Sequence, residues 1–231
     1  GKSWHRTFLP IAQLYHVTTD NNVPYNVLTN RQDGPSMKGP SRSRTENWWH
    51  SGMIQSGMWR EIGGGESGFA TPDPTNPDIV WSSASGSGSL GGIVTRYNEK
   101  TNQYRQLEVW PEYASGSYAS LLKYRFQWTF PLLISPHDNK TIYVTSQHVH
   151  KTTNDGQSWE VISPDLSTNT LSMQDESGGP ITKDDTGVEY YCTIFVITPS
   201  QHEKGVIWIG SDDGRVHLTK DGGKTWDDIT P

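Results

Sequence analysis

The feature that most constrains this chain is a spaced motif that occurs twice whole and once in part. "TKDGGKTW" places Thr219, Asp221, Gly223, Thr225 and Trp226 in the pattern S/T-x-D/N-x-G-x-S/T-W. "TTNDGQSW" repeats it with Thr152, Asn154, Gly156, Ser158 and Trp159, and the opening "GKSW" keeps Gly1, Ser3 and Trp4. Turn formers at fixed spacing around one large aromatic are a repeat signature. Glycine supplies positive φ, and Asp or Asn bonds the amides of its own turn. The carboxylate is therefore expected to clamp a hairpin, and the tryptophan to pack between neighbouring units. One carboxylate is too few oxygen ligands for a calcium loop, so no metal is expected there.

The same period runs through the rest of the chain. Pro72, Pro136 and Pro199 anchor turns sixty-four and sixty-three residues apart. Each turn is preceded by a β-type run ("SGFATP", "FQWTFPLLISP", "YYCTIFVITP") and followed by a second ("IVWSSA", "TIYVTS", "VIWIGS"). Third runs ("GGIVTRYN", "HVHKTT", "GRVHLTK") and fourth runs ("YRQLEVWP", "SWEVISP", "TWDDITP") complete each unit. They are rich in Val, Ile, Thr, Tyr and Trp and bounded by Gly, Pro, Asn and Asp, which reads as strand and turn. A more diverged copy fits Ile11 to Arg60. Four antiparallel strands per tandem unit predict an all-β chain of β-propeller blades. The expected blades are 11–66, 67–125, 126–188 and 189–231, with 1–10 as the last strand of a preceding blade. The chain is thus read as a segment of a longer propeller.

Composition narrows the partners. Apolar residues are 32% of the chain but aromatics are 11%, with ten Trp and ten Tyr, so a core is built from a few very large side chains. A net charge of -6, mild and mixed along the chain, argues weakly against nucleic acid as a partner, since phosphate binding needs a basic face. One cysteine, Cys192, allows no internal disulfide; it lies mid-strand and reads as a small buried hydrophobe. No apolar run reaches the length of a membrane helix, and no motif calls for a cofactor.

The motif resembles the Asp-box, or bacterial neuraminidase repeat, of sialidases, xyloglucan-cleaving glycosidases, sortilin-type receptors and a photosystem assembly factor. "YHVTTDN", "GGGESG", "RFQWTFP", "ISPHD", "GGPITKDDTGVEYYCTIF" and "GSDDGRVHL" are similar to segments of large secreted bacterial propeller proteins, described as sortilin-like or glycosyl-hydrolase-like. That resemblance implies a secreted or periplasmic location. It implies as partners the remainder of the chain's own propeller and a glycan or peptide ligand.

Antiparallel strands place the links between units and the second-to-third connections at one end. The longest connections are expected there: Pro111–Tyr124, Pro164–Val188, Ser83–Gly91 and a Gln32–Trp49 excursion. Long loops on a rigid scaffold carry function. The first strands are expected to line the channel, presenting Gln13, Tyr15, Glu66, Arg125, Gln127, Glu189 and Tyr190 at its mouth. Glu66, among four glycines, can approach a substrate as general acid or base, or cap its own turn. Asp184, Asp185 and Glu189 can supply the second carboxylate of a glycosidase pair, or form a solvated acidic loop. Arg125 can bind a carboxylate or a sugar hydroxyl, or hold a buried ion pair; "YRFQ" departs from the sialidase Phe/Tyr-Arg-Ile/Leu-Pro motif. His148 and His150 read as packing residues rather than a metal pair. Trp48, Trp49 and Trp59 can stack on sugars, and Trp81 and Trp208, at matching positions of second strands, are expected in the core. Two functions fit: a glycan- or peptide-binding scaffold propeller, or part of a glycoside hydrolase.

Overall fold

The computed structural model describes residues 2–4, 12–43, 54–86 and 90–231. Four antiparallel four-stranded sheets succeed one another along the chain, each with its strands in sequence order. The first holds β1 (Leu14–Thr19), β2 (Asn26–Arg31), β3 (Ser36–Pro40) and β4 (Arg60–Glu61). The second holds β5 (Ala70–Pro72), β6 (Ile79–Gly86), β7 (Leu90–Asn98) and β8 (Gln103–Glu108). The third holds β9 (Leu132–Ser135), β10 (Asp138–Thr145), β11 (Val149–Thr152) and β12 (Glu160–Val161). A small hairpin, β13 (Ser177–Gly178) and β14 (Lys183–Asp184), interrupts the next link. The fourth sheet is β15 (Ile194–Pro199), β16 (Ile207–Ser211), β17 (Val216–Thr219) and β18 (Asp227–Asp228). Helix among the described residues is limited to single 3-10 turns.

Alternation along the strands gives every sheet two faces, and consecutive sheets stack through them. Leu28 and Ile62 of the first sheet meet Ala70 and Val80 of the second. Trp81, Val94 and Leu107 pack on Leu132, Ile142 and Val144 of the third. Val149 and Ile162 then pack on Ile194, Ile197, Ile207 and Ile209. First strands are also tied in series: the Thr18 hydroxyl donates to the Ala70 carbonyl and the Thr71 hydroxyl to that of Leu132.

The repeated motif forms the turn between the third and fourth strands. Thr219 Oγ1 donates to Asp221 Oδ1 (2.8 Å) and accepts from the Gly223 amide (3.0 Å), while Asp221 accepts from the Thr225 amide and hydroxyl (3.0 and 2.7 Å). Thr152, Asn154, Gly156 and Ser158 make the same set, with the Asn154 amide donating to the Ser158 hydroxyl instead. Trp159 and Trp226 are half-buried, each against the preceding sheet's cluster, and the Trp226 indole donates to the Ile162 carbonyl at 3.0 Å. Trp59 precedes β4 as these two precede β12 and β18.

Several expectations are corrected. Ser83–Gly91 is largely strand, because β6 runs to Gly86 and β7 starts at Leu90. The Gln32 connection is a short turn, since β3 begins at Ser36; the long insertion falls between β3 and β4, at the opposite end. Trp48 and Trp49 lie outside the described residues, as do residues 5–10 of the expected preceding strand. Trp81 is buried, whereas Trp208 is 39% exposed, with no sheet among the described residues over its face. Cys192 is buried but precedes β15, with φ of 63°.

Candidate functional site

The β2–β3 turn and the three links between successive sheets, the last with its β14 segment, converge on one open depression of about 470 Å³. Its walls carry Gln32, Asp33, Glu66, Trp128, Asp184 and Glu189, with Ser115, Lys183, Asp185 and Thr186 beside them. Every one of these residues comes from the end expected to hold the functional face.

Glu66 reaches the wall because the chain between β4 and β5 is squeezed between two sheets. A Cβ on Gly64 would stand 2.1 Å from Ser36 Oγ and 2.9 Å from Ser82 Cβ, and its φ is 69°. Only glycine passes there. One Glu66 oxygen then accepts from the Gln32 side chain (2.8 Å) and the Asp33 amide (2.9 Å). Asp33 itself sits at φ 56° in the tight β2–β3 turn. Gln32 accepts in turn from the Tyr15 hydroxyl, which accepts from the Trp128 indole at 2.9 Å. Ser67 Oγ donates to the Trp128 carbonyl at 2.9 Å, locking the two links together. Trp128 and Glu66 are thus held by one connected network.

The opposite wall is the link between the third and fourth sheets. Lys183 pairs with Glu176, Ser177 Oγ donates to the Asp184 carbonyl, and Asp184 accepts from the Thr186 amide at 3.3 Å. The Asp185 carbonyl accepts from the Gly116 amide at 2.9 Å, joining this link to the previous one. Glu189 is exposed, next to the buried Val188 at φ 73°. Five carboxylates (Asp33, Glu66, Asp184, Asp185, Glu189) face one lysine, so the local field is strongly negative.

The structure therefore brings together Glu66, Asp184 and Glu189, with Tyr15 behind them. The main chain of Gln13 accepts from the Gln32 amide at 3.0 Å, and its side chain is exposed. Arg125, Gln127 and Tyr190 are buried beneath rather than displayed. Arg125 pairs with Asp165 at 2.7 Å and donates to the Cys192 carbonyl at 3.1 Å. Gln127 accepts from the Thr129 amide, and the Tyr190 hydroxyl donates to the Ala114 carbonyl. Burial pushes that phenol up to about 12, so it stays protonated. His150 is buried with Nε2 2.8 Å from Ser146 Oγ, in an aromatic nest with Tyr124 and Phe126. Among the described residues no cluster of His, Cys, Asp or Glu could hold a metal. Sequence reasoning missed Trp128, although it follows Gln127 in a run already assigned to the channel mouth. It missed Asp33 because Gln32 was read as the start of a long loop; the "QDG" turn signal was the available clue.

No protein-family model matches the chain, and no curated protein sequence matches it. Solved structures do match in fold. An ancestral GH74 enzyme superposes with a TM-score of 0.54 at 12% identity, over 94% of this chain and 25% of that one. The GH74 xyloglucanase from Xanthomonas campestris gives 0.51 at 12% identity, over 88% and 28%. An auxiliary nutrient binding protein from Bacteroides thetaiotaomicron gives 0.50 at 10% identity, over 93% and 46%. The chain thus spans about a quarter of the length of the two enzymes. Likeness at such identity establishes architecture alone. Four consecutive sheets, each antiparallel, in sequence order and stacked on the next, make this chain part of a β-propeller.

Proposed function

We propose that this chain is the glycan-binding part of a secreted propeller protein of Asp-box type, taking its ligand in the acidic depression. The single observation that carries the reading is the convergence of Glu66, Asp184, Glu189 and Trp128 on one open cavity from links far apart in sequence. Carboxylates accept hydrogen bonds from sugar hydroxyls, and an indole offers an apolar body beside them. The negative field opposes anionic sugars, so the ligand is a neutral glycan. The GH74 and nutrient-binding neighbours support a glycan-related module. A peptide ligand and an extracytoplasmic location follow the same resemblance and are separated by the panel below and by cell fractionation.

The experiment is calorimetric titration of neutral oligosaccharides, sialylated oligosaccharides and peptides. Neutral glycans are expected to bind, and Glu66→Gln, Glu189→Gln and Trp128→Ala each to weaken binding at least tenfold with the thermal midpoint nearly kept. Preference for sialylated glycans or for peptides would sink the reading. A second reading, glycoside hydrolysis by paired carboxylates, is favoured by the approach of Glu66 and Glu189 to the same cavity. Hydrolysis present in the parent and lost in Glu66→Gln, with binding retained, would establish it.

A further inference from the structure

We infer that a polar recess between the second and third sheets, at the end away from the depression, binds a uronic acid residue of an acidic glycan. The recess has a volume of about 520 Å³, and its walls are the β5–β6 turn, the start of β10 and the β11–β12 motif turn. Its centre is Arg96. Register sets Trp81, Arg96 and Arg105 in one row across β6, β7 and β8, and Trp81 in that row packs on the third sheet. The guanidinium lies 5.9 Å over the Trp81 ring, and the Arg96 side chain is only 23% exposed. Its buried Nε has no hydrogen-bond partner among the described residues. The carboxylate of Asp155 stands 3.7 Å from that nitrogen, too far for a hydrogen bond, and is 59% exposed. Arg105, directly opposite, puts a second positive charge on the same face. Like charges in such a pair cost stability, which an anion beside them would restore.

The other polar groups of the recess select the anion. Asp73 spends one oxygen on the Thr75 amide and hydroxyl and the Asn76 amide (2.8, 2.9 and 3.1 Å), so it serves its own turn. With its proton given to Asp73, the Thr75 hydroxyl accepts from the Asn139 amide nitrogen at 2.7 Å. That contact fixes the Asn139 carbonyl as the end left to a ligand. Lys140 and Gln157 stand exposed in the wall and add donors. A planar guanidinium with unspent donors matches a carboxylate through a two-point fork. A phosphate would bring a second negative charge, which the carboxylates of Asp73 and Asp155 oppose. A uronate brings one, and its hydroxyls can donate to Asp155 and to the Asn139 carbonyl. The reading uses none of the residues of the depression and does not depend on the ligand taken there.

Nuclear magnetic resonance of the arginine Nε–H groups tests this, because the Arg96 signal reads the recess directly. The probe is sodium glucuronate, titrated at constant ionic strength beside glucose, inorganic phosphate and an acidic peptide. The expected result is a saturable shift of the Arg96 signal with glucuronate at millimolar concentrations, none with glucose, and a weaker response to phosphate or peptide. By calorimetry, Arg96→Gln should abolish glucuronate binding and Lys140→Gln weaken it severalfold, with circular dichroism checking the fold. Lys140 is exposed, so its variant decides the matter should Arg96→Gln misfold. The absence of a saturable shift, an equal shift with glucose, a tighter response to phosphate or to the peptide, or unaltered binding in the folded variants would overturn the inference.

Discussion

Arg125 and Glu66 both sit at the ends of links, but their surroundings give them opposite roles. Arg125 is 5% exposed and spends its donors on Asp165, Ser167 and the Cys192 carbonyl, so it ties the link after the third sheet to the one before it. Removing one partner of a buried pair leaves a charge uncompensated. Arg125→Ala is expected to destabilise the fold by about 2–4 kcal/mol, reduced because Asp165 keeps some access to water. Urea unfolding measures this, and an unchanged midpoint would show the pair to be idle. His150 gives a pH signature. Burial chiefly, and the nearby His148 secondarily, lower its pKa from 6.5 to about 3. The folded chain therefore refuses a proton that the unfolded chain accepts below pH 6.5. Stability is full above that value and falls as pH drops toward about 3. Burial lowers His16 in the same sense. Asp20 acts lower: burial raises its carboxyl, but bonds from Asn26, Asn22 and Lys38 outweigh this, and its contribution is lost only below its ordinary value of 3.8. His150→Gln should flatten, without abolishing, the fall in melting temperature between pH 6.5 and 4.5. An unaltered slope would assign it elsewhere.

At the scale of elements, the motif turn is a clamp whose glycines differ in what surrounds them. A Cβ on Gly223 would stand 2.6 Å from the Ile162 carbonyl, at φ 98°; on Gly156 it would stand 2.7 Å from the tip of the Leu107 side chain, at φ 74°. Side-chain tips move and backbone carbonyls do not. Gly223→Ala is therefore expected to cost about 1–3 kcal/mol and Gly156→Ala less, both including the strain of positive φ. Thermal melts of the two variants order them, and the reverse order would refute the packing argument. Trp226→Ala removes an indole that fills the gap between the third and fourth sheets and bonds the Ile162 carbonyl. Because the ring is only half-buried, a loss of about 2–3 kcal/mol is expected, below the range for fully buried aromatics.

For the whole molecule, three hydrophobic clusters among the described residues each join consecutive sheets, so stability should grade along the series rather than be uniform. The second and third sheets are covered on both faces, whereas β1 and β15 each leave apolar side chains in water. Hydrogen exchange is expected to be slowest in β6, β7 and β10 and faster in β1 and β17. Uniform protection would show that the four sheets open as one cooperative unit. The depression belongs to this scale too, since no single sheet contains it.

The sequence alone determined the repeating four-stranded unit. The turn motif and the proline spacing are local chemistry: Thr219 and Thr152 cap amides two and four residues on, Asp221 and Asn154 amides four residues on, and none needs a distant partner, so these residues betray their turns wherever they stand. The same logic placed Glu66, Asp184 and Glu189 at one end of the fold. Tertiary structure decided which of the proposed site residues reach solvent. Arg125, Gln127 and Tyr190 have the composition of a binding site, but the packing of two long links over them turned them into supports. Among the described residues Trp81 and Trp208, which occupy one sequence position in two units, differ in burial because a described sheet covers the first and none covers the second. Burial is a property of neighbours, and the pattern within a repeat does not say which neighbour is present.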